Sequence, residues 1–281
     1  MLRTCFSMVI LIPALAFADA PTGKTEIVVA TYNIRYANPN DGKDVWEHRK
    51  ATVAKYLAGK DIVGLQEVTE SQYDDLKAGL PQFATYGIGR DDGKSDGEHA
   101  PIFYRKDRFE AIDQGTFWLS ETPQKAGTKG WDAALPRICT WMILRDRRNQ
   151  KEFCVANTHF DHQGKIARTE SAKLLADRVD ELPEELPIVL MGDFNCLPDS
   201  EPYQSLVGAL ADVRTKSASP PQGPNSTWNG FDAIIAQRII DHVFVRNFAV
   251  IAVQVDDPKT ETKRFGSDHL PVRVTLDFDK P

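Results

Sequence analysis

Short apolar runs recur along the chain, some joined by polar turns and others separated by stretches with apolar residues at helical spacing. Ile27, Val28, Val29 and Ala30 are consecutive, as in a strand buried on both faces, and predict a strand over 26–33. Trp46, Val53 and Leu57 share one helical face and predict a helix over 46–58. A short apolar strand follows over 61–66, then a helix over 71–80 that ends before Pro81. Strands are expected over 101–104 and 109–117. The segments 138–144 and 152–158 flank the polar turn 146–150, the pattern of a hairpin. The clearest helix is 168–182, with Leu174, Leu175 and Val179 on one face. Further strands are expected over 187–191, 239–245 and 272–278, and a short helix over 203–210. The segment 217–225 is rich in Pro, Ser and Gly and reads as a loop.

Strands that occur both in hairpins and around helices point to a mixed α/β domain with mixed sheets. A doubly wound nucleotide fold fits worse, because no Gly-x-Gly-x-x-Gly or Walker-type loop follows a strand. The chain has 281 residues, no internal repeat and no visible seam, which suits one domain over 24–279. Arg3, the apolar run 6–17 and the small-x-small triplet Ala16-Phe17-Ala18 predict a signal peptide over 1–18 and a secreted or periplasmic protein. The run is shorter than the roughly 20 residues a membrane span needs.

Formal net charge is −6, and cleavage after Ala18 removes Arg3 and leaves −7. An acidic balance argues against a protein that coats nucleic acid or anionic membrane without specificity. It is compatible with a phosphate-directed hydrolase, since a bound cation reverses the local field. Three cysteines follow the predicted cleavage point, too few for a disulfide-built scaffold. Cys139 and Cys154 lie on successive predicted strands, where either a pair or two buried free thiols is open.

Polar residues collect at the ends of the predicted strands. They are Asn33 in Thr31-Tyr32-Asn33-Ile34-Arg35, Glu67 in Gln66-Glu67-Val68, and His159 and Asp161 in Thr158-His159-Phe160-Asp161. Asp193 and Asn195 follow in Gly192-Asp193-Phe194-Asn195, then Asp241 and His242, then Asp268 and His269 in Ser267-Asp268-His269. Strand ends can converge on one cleft while strand interiors form the core. Carboxylates, amides and imidazoles are what a hard divalent cation and a phosphate require. Singly, each motif also fits a turn or a loop cap.

Taken in order, these blocks resemble the endonuclease/exonuclease/phosphatase superfamily, which includes pancreatic deoxyribonuclease, apurinic endonucleases, inositol polyphosphate 5-phosphatases, deadenylases and neutral sphingomyelinases. The matching blocks run from Thr31 to Pro271. The resemblance implies a four-layer α/β/β/α sandwich of two mixed sheets flanked by helices. It implies Mg²⁺ as cofactor, with Mn²⁺ as a substitute, and Glu67 as the principal ligand, with Asn33 and Asp268 beside it. Asp193 would orient and deprotonate the attacking water, with Asn195 on the phosphate. His269, oriented by Asp241, and His159 would donate to phosphoryl oxygens, and Glu98 is a candidate to orient His159.

Arg137 and Trp118 are candidates for substrate contact, Arg35 and Arg168 weaker ones, and Trp131 and Trp228 could line the cleft. The expected activity is hydrolysis of a P–O bond by water held in line, on a nucleic acid, phosphosugar or phospholipid head group, without a stable protein partner. An inactive binding protein on the same fold, or a sphingomyelin-type phosphodiesterase, are the alternatives. The segment Gln237-Arg238-Ile239-Ile240-Asp241 lacks the Trp-Cys-Asp-Arg block of inositol polyphosphate 5-phosphatases. The first block also lacks the Asn-Gly-x-Arg continuation of apurinic endonucleases.

Overall fold

The computed structural model describes residues 25–278, so the predicted signal peptide lies outside it. In chain order the elements are β1 (Ile27–Asn33), α1 (Trp46–Leu57), β2 (Ile62–Gln66), α2 (Glu70–Gly79), β3 (Phe83–Tyr86), β4 (Ile102–Arg105), β5 (Phe109–Trp118) and β6 (Ile138–Asp146). There follow β7 (Glu152–His159), α3 (Lys165–Asp180), β8 (Ile188–Asp193), α4 (Glu201–Ala209), β9 (Ala211–Asp212), α5 (Val213–Lys216), β10 (Asp241–Arg246), β11 (Ala249–Val255) and β12 (Val272–Asp277). They form two six-stranded sheets, ordered β11-β12-β1-β2-β4-β3 and β5-β6-β7-β8-β10-β9. Each sheet contains one parallel pair, β1 with β2 and β7 with β8, among antiparallel neighbours.

The continuous apolar runs are explained by burial on both sides of each sheet. In β1, Ile27 and Val29 face the other sheet, where they meet Met142, Val155, Val189 and Met191. Ala30 and Tyr32 face outward against Trp46, Val53 and Leu57 of α1 and Leu76 of α2. The outer face of the second sheet packs Leu175 and Val179 of α3 and Leu206 of α4 against Leu190 and Phe244. This is the expected sandwich. The hairpin, the α1 face and the 217–225 loop also lie where the sequence placed them.

Three strands and one helix carry too little pattern to be read from the sequence. β3 and β9 are short, β11 shifts its register between Val250 and Ala252, and α5 is a single turn. α3 starts three residues before the predicted point because Asp132, a distant loop residue, accepts from the amides of Ile166 and Ala167 and caps it. Cys139 pairs in register with Thr158 and Cys154 with Ile143, so the two thiols sit four positions apart along the ladder and are free and buried.

A polar seam crosses the apolar interface at the end where the parallel strands finish. Asn157 of β7 accepts from Gln66 Nε2 at 2.6 Å and donates to the carbonyls of Leu65 at 2.8 Å and Pro101 at 3.1 Å. Gly64 makes room for it, since a Cβ there would lie 2.7 Å from the Asn157 amide. At the opposite end Arg108 ties the sheets together, bonding Asp146 of β6, Asp61 before β2 and the carbonyls of Thr25 and Glu26. Replacing Asn157 by Leu strands the buried Leu65 carbonyl, at a cost of about 1–3 kcal/mol, while the Pro101 carbonyl keeps the Leu65 amide. Urea unfolding of Asn157→Leu is therefore expected to show a loss of about 2 kcal/mol; a change under about 0.5 kcal/mol would mean the seam bears no weight.

Candidate active site

The two parallel strand pairs finish at the same end of the sandwich, and the antiparallel β10 and the loop before β12 begin there. Register alone therefore sets His159 beside Asp193, and Asp193 beside Asp241. Across the sandwich, Asn33 at the end of β1 is fully buried and donates from one amide nitrogen to Glu67 Oε1 and to Asp193 Oδ2, each at 3.0 Å. Glu67 and Asp193 come from different sheets and are held by one donor. Glu67 also accepts from the Tyr36 amide at 3.2 Å, and Asp193 Oδ1 from the Asn195 amide at 2.9 Å. His269 Nδ1 lies 2.9 Å from Asp241 Oδ2, and its Nε2 3.7 Å from Asp193 Oδ2. His159 Nε2 reaches the same Asp193 oxygen at 3.4 Å. Ser267 donates to the Asn33 carbonyl at 2.7 Å and stands 3.1 Å from Asp268 Oδ1, fixing the last loop onto β1.

Two of these residues sit in the left-handed backbone region: Glu67 at φ 58° and Asn195 at φ 48°. A residue other than glycine there costs of order 1–3 kcal/mol, and such strain concentrates at functional sites. At both positions the chain turns sharply at the end of a strand and aims the side chain into the cleft.

Burial shapes the charges. Desolvation first, and Asp241 next, push the Asp193 carboxyl up to about 7. Asp268 is also raised, by burial and by Glu67 against the pull of His269. His269 goes the other way: burial opposes its charged form, but the carboxylates of Asp241 and Asp193 outweigh burial and lift it to about 10. His159 is held well below its ordinary value by burial and by the neighbouring charges of Arg137 and Arg90. Their surroundings thus push the two imidazoles in opposite directions.

The donor set suits a hard cation. Asp241 Oδ1 is buried with no hydrogen-bond partner among the described residues, and Asp241 pairs in register with Asp193. Glu67 and Asp268 add further oxygens on the other wall. Carboxylates crowded out of water at this density gain most from a divalent ion with oxygen preference.

The endonuclease/exonuclease/phosphatase family model matches residues 30–269 of the chain. The chain belongs to that family. Its members are phosphoester hydrolases and typically depend on a divalent metal. A mannosyl-6-phosphatase from Bacteroides thetaiotaomicron is 41% identical, with a TM-score of 0.85 over 90% of this chain and 100% of that one. A family member from Bacteroides vulgatus is 39% identical, with a TM-score of 0.86 over 91% of this chain and 100% of that one. Among curated proteins, protein angel of Drosophila melanogaster is 28% identical over 63% of this chain. The chain spans about half of that relative's length, 51%, and 28% of Drosophila nocturnin.

The expected site residues Asn33, Glu67, His159, Asp193, Asn195, Asp241, Asp268 and His269 all lie at this end. Asn33 turns its amide nitrogen, a donor, toward the two carboxylates, and its oxygen accepts from the Arg35 amide, so it acts here as a bridge between acids. Glu98 lies 3.9 Å from His159 Nδ1, too far for a direct hydrogen bond. The expectation of substrate stacking on Trp118 is corrected. Its indole is 5% exposed, packs with Ala100 and Ile138, and donates to the Arg90 carbonyl, so no ring face is open. Arg137 is 4% exposed and engaged with Asp161 and His162.

Trp228 stands edge-on to His269 at 4.8 Å, while Trp131 is half-buried in its loop with φ 51°. Two participants escaped the sequence reading. Arg49 bonds four carbonyls, those of Ile34, Arg35, Asp44 and Gly266, and so joins the Asn33 and Asp268 loops. Its signal was present, because it occupies a core position of α1 between Trp46 and Val53. Arg90, in a glycine-rich loop, carried no comparable signal.

Removing the Asp241 charge should lower the His269 pKa. A ring whose folded value, about 10, exceeds the unfolded value stabilises the fold below about pH 6.5, and that contribution fades as pH rises toward 10. In an NMR titration of chelator-treated protein, Asp241→Asn is expected to move the His269 midpoint down by at least one pH unit. An unmoved midpoint would mean Asp241 does not hold the proton.

Proposed function

We propose that the protein is an exported, Mg²⁺-dependent phosphatase that hydrolyses the phosphate ester of a small sugar-like molecule by in-line attack of water. The observation that carries this reading is the set of side chains around Asp193. A carboxylate with a pKa near 7 is matched to proton abstraction at neutral pH. It is fixed by Asn33 and the Asn195 amide and flanked by a charged imidazole, His269, and a neutral one, His159. Asp193 takes a proton from water, and the water oxygen bonds to phosphorus opposite the ester oxygen. The P–O ester bond breaks, and its electron pair leaves with the alcohol oxygen, which takes up a proton. His269 donates to a phosphoryl oxygen as its charge grows, and Asn195 places the phosphate.

Glu67, with Asp268, would hold Mg²⁺, and Asn33 would steady Glu67 through its amide N–H. The choice of ion rests on an all-oxygen donor set on that wall. When bound, the ion supplies positive charge to a phosphoryl oxygen and offsets the repulsion between ester and nucleophile.

The small substrate is favoured by where the arginines go. Arg35 pairs with Asp41, Arg137 with Asp161, and Arg168 with the Asp161 carbonyl. None of the three is left to track a long polyanion, and overall charge is −6. The similarity to a mannosyl-6-phosphatase points the same way. Export rests on the signal-peptide pattern of residues 1–18.

Mature protein with Mg²⁺ is expected to release inorganic phosphate from hexose 6-phosphates faster than it cleaves DNA, RNA or sphingomyelin. Faster turnover of any of the last three overturns the substrate class. A chelator should abolish turnover and Mg²⁺ or Mn²⁺ restore it; activity that survives the chelator removes the metal. Asp193→Asn should lower kcat by about 10²-fold or more, and an unchanged kcat would remove the proposed base.

A further inference from the structure

Regular pairing between β2 and β4 stops short of Glu67. Gly64 faces Ile102, the Leu65 amide donates to the Pro101 carbonyl, and the next bridge joins Val68 to His99. From Gly64 to Val68 is four steps, against three from Ile102 to His99, so one residue is extra. Glu67 and Val68 together face His99, with Glu67 at φ 58° in the left-handed place that glycine usually fills in such a bulge.

The extra residue decides where Glu67 points. Side chains alternate between the two faces of a strand. Val63 and Leu65 face outward, into the cluster shared with α1 and α2, and Gln66 faces the other sheet, where it bonds Asn157. Unbroken alternation would send residue 67 outward with Val63 and Leu65. The bulge gives that place to Val68, which is fully buried in the same outer cluster, and turns Glu67 toward Asn33 and the cleft. A glutamate in this backbone region costs of order 1–3 kcal/mol, so the turn persists only where its surroundings hold it.

His99 closes the bulge on its far side. Its amide donates to the Val68 carbonyl at 2.7 Å, and its carbonyl accepts from the Val68 amide at 3.3 Å. Ring Nδ1 lies 3.1 Å from the same Val68 carbonyl oxygen. A carbonyl oxygen only accepts and has two lone pairs, so it takes both donors, and Nδ1 carries a proton. The residue is 2% exposed, its ring lies 5.3 Å from that of Tyr73, and Nε2 stands 3.1 Å from Glu70 Oε2. Burial lowers the pKa of this ring, and the Val68 carbonyl and Glu70 act against that; Nδ1–H faces Val68 in either charge state.

We propose that His99 is a positioning residue for the metal site: its Nδ1–H bond to the Val68 carbonyl holds the bulge that aims Glu67 into the cleft. This deepens the reading of Glu67 as a divalent-metal ligand and rests on it.

The test is Mn²⁺ binding to chelator-treated protein, followed by electron paramagnetic resonance, in the parent and in two variants. An asparagine amide reaches the place of Nδ1, and a glutamine amide the place of Nε2. His99→Asn is expected to bind Mn²⁺ within about twofold of the parent and His99→Gln about tenfold more weakly, the scale of losing an outer partner of a metal ligand. Equal binding by the two variants, at parent strength or equally weakened, overturns the proposal, and so does weaker binding by His99→Asn alone. A parent protein that binds no Mn²⁺ removes the metal reading of Glu67 instead. One measurement needs no variant. In ¹⁵N NMR of histidine-labelled parent, with the ring assigned through its own backbone, Nδ1 of His99 is expected to be protonated at neutral pH. An unprotonated Nδ1 overturns the proposal whether or not the variants fold.

Discussion

One amide nitrogen holds the two halves of the site together. Asn33 ends a strand of the first sheet, and its Nδ2 donates at once to Glu67, beside it, and to Asp193, which belongs to the second sheet. Everything else at this end depends on the sheets meeting there in one register. The Gln66–Asn157 seam sets that register from inside, since its polar groups have partners only when the strand ends are level. Gly64 allows the approach, Arg49 ties the first and last loops to α1, and Ser267 hooks the His269 loop onto β1.

The charge balance follows from that packing. Asp193, Asp241 and Asp268 are buried in one corner, where the loss of water makes like charges costly. The fold answers with one imidazolium, with amide donors and with room for a cation. His159 is pushed the other way, first by burial and then by the charges of Arg137 and Arg90. Two histidines of identical intrinsic chemistry are thus pushed in opposite directions, one by neighbouring carboxylates and the other by burial and guanidinium groups.

Commitment of the arginines to internal partners has a second effect. Arg35, Arg137 and Arg168 each bond within the scaffold and so position loops. Beside them the half-buried Trp228 stands edge-on to His269.

Much of this was legible in the sequence, for a physical reason. Strands buried on both faces read as unbroken apolar runs, and a polar residue ending such a run is visible by contrast, as with Asn33, Glu67 and Asp193. Order along the chain, chemistry and the family resemblance were therefore available before any coordinates. Elements without contrast were not: β3 and β9 are too short, and β11 is interrupted by a bulge. The start of α3 depends on Asp132, more than thirty residues away in sequence. The sequence also left open whether Trp118 is a platform or a wedge, and which partner each arginine takes. Only tertiary structure decided these, because a side chain's exposure and the state of a titratable ring depend on neighbours that the chain brings together across two sheets.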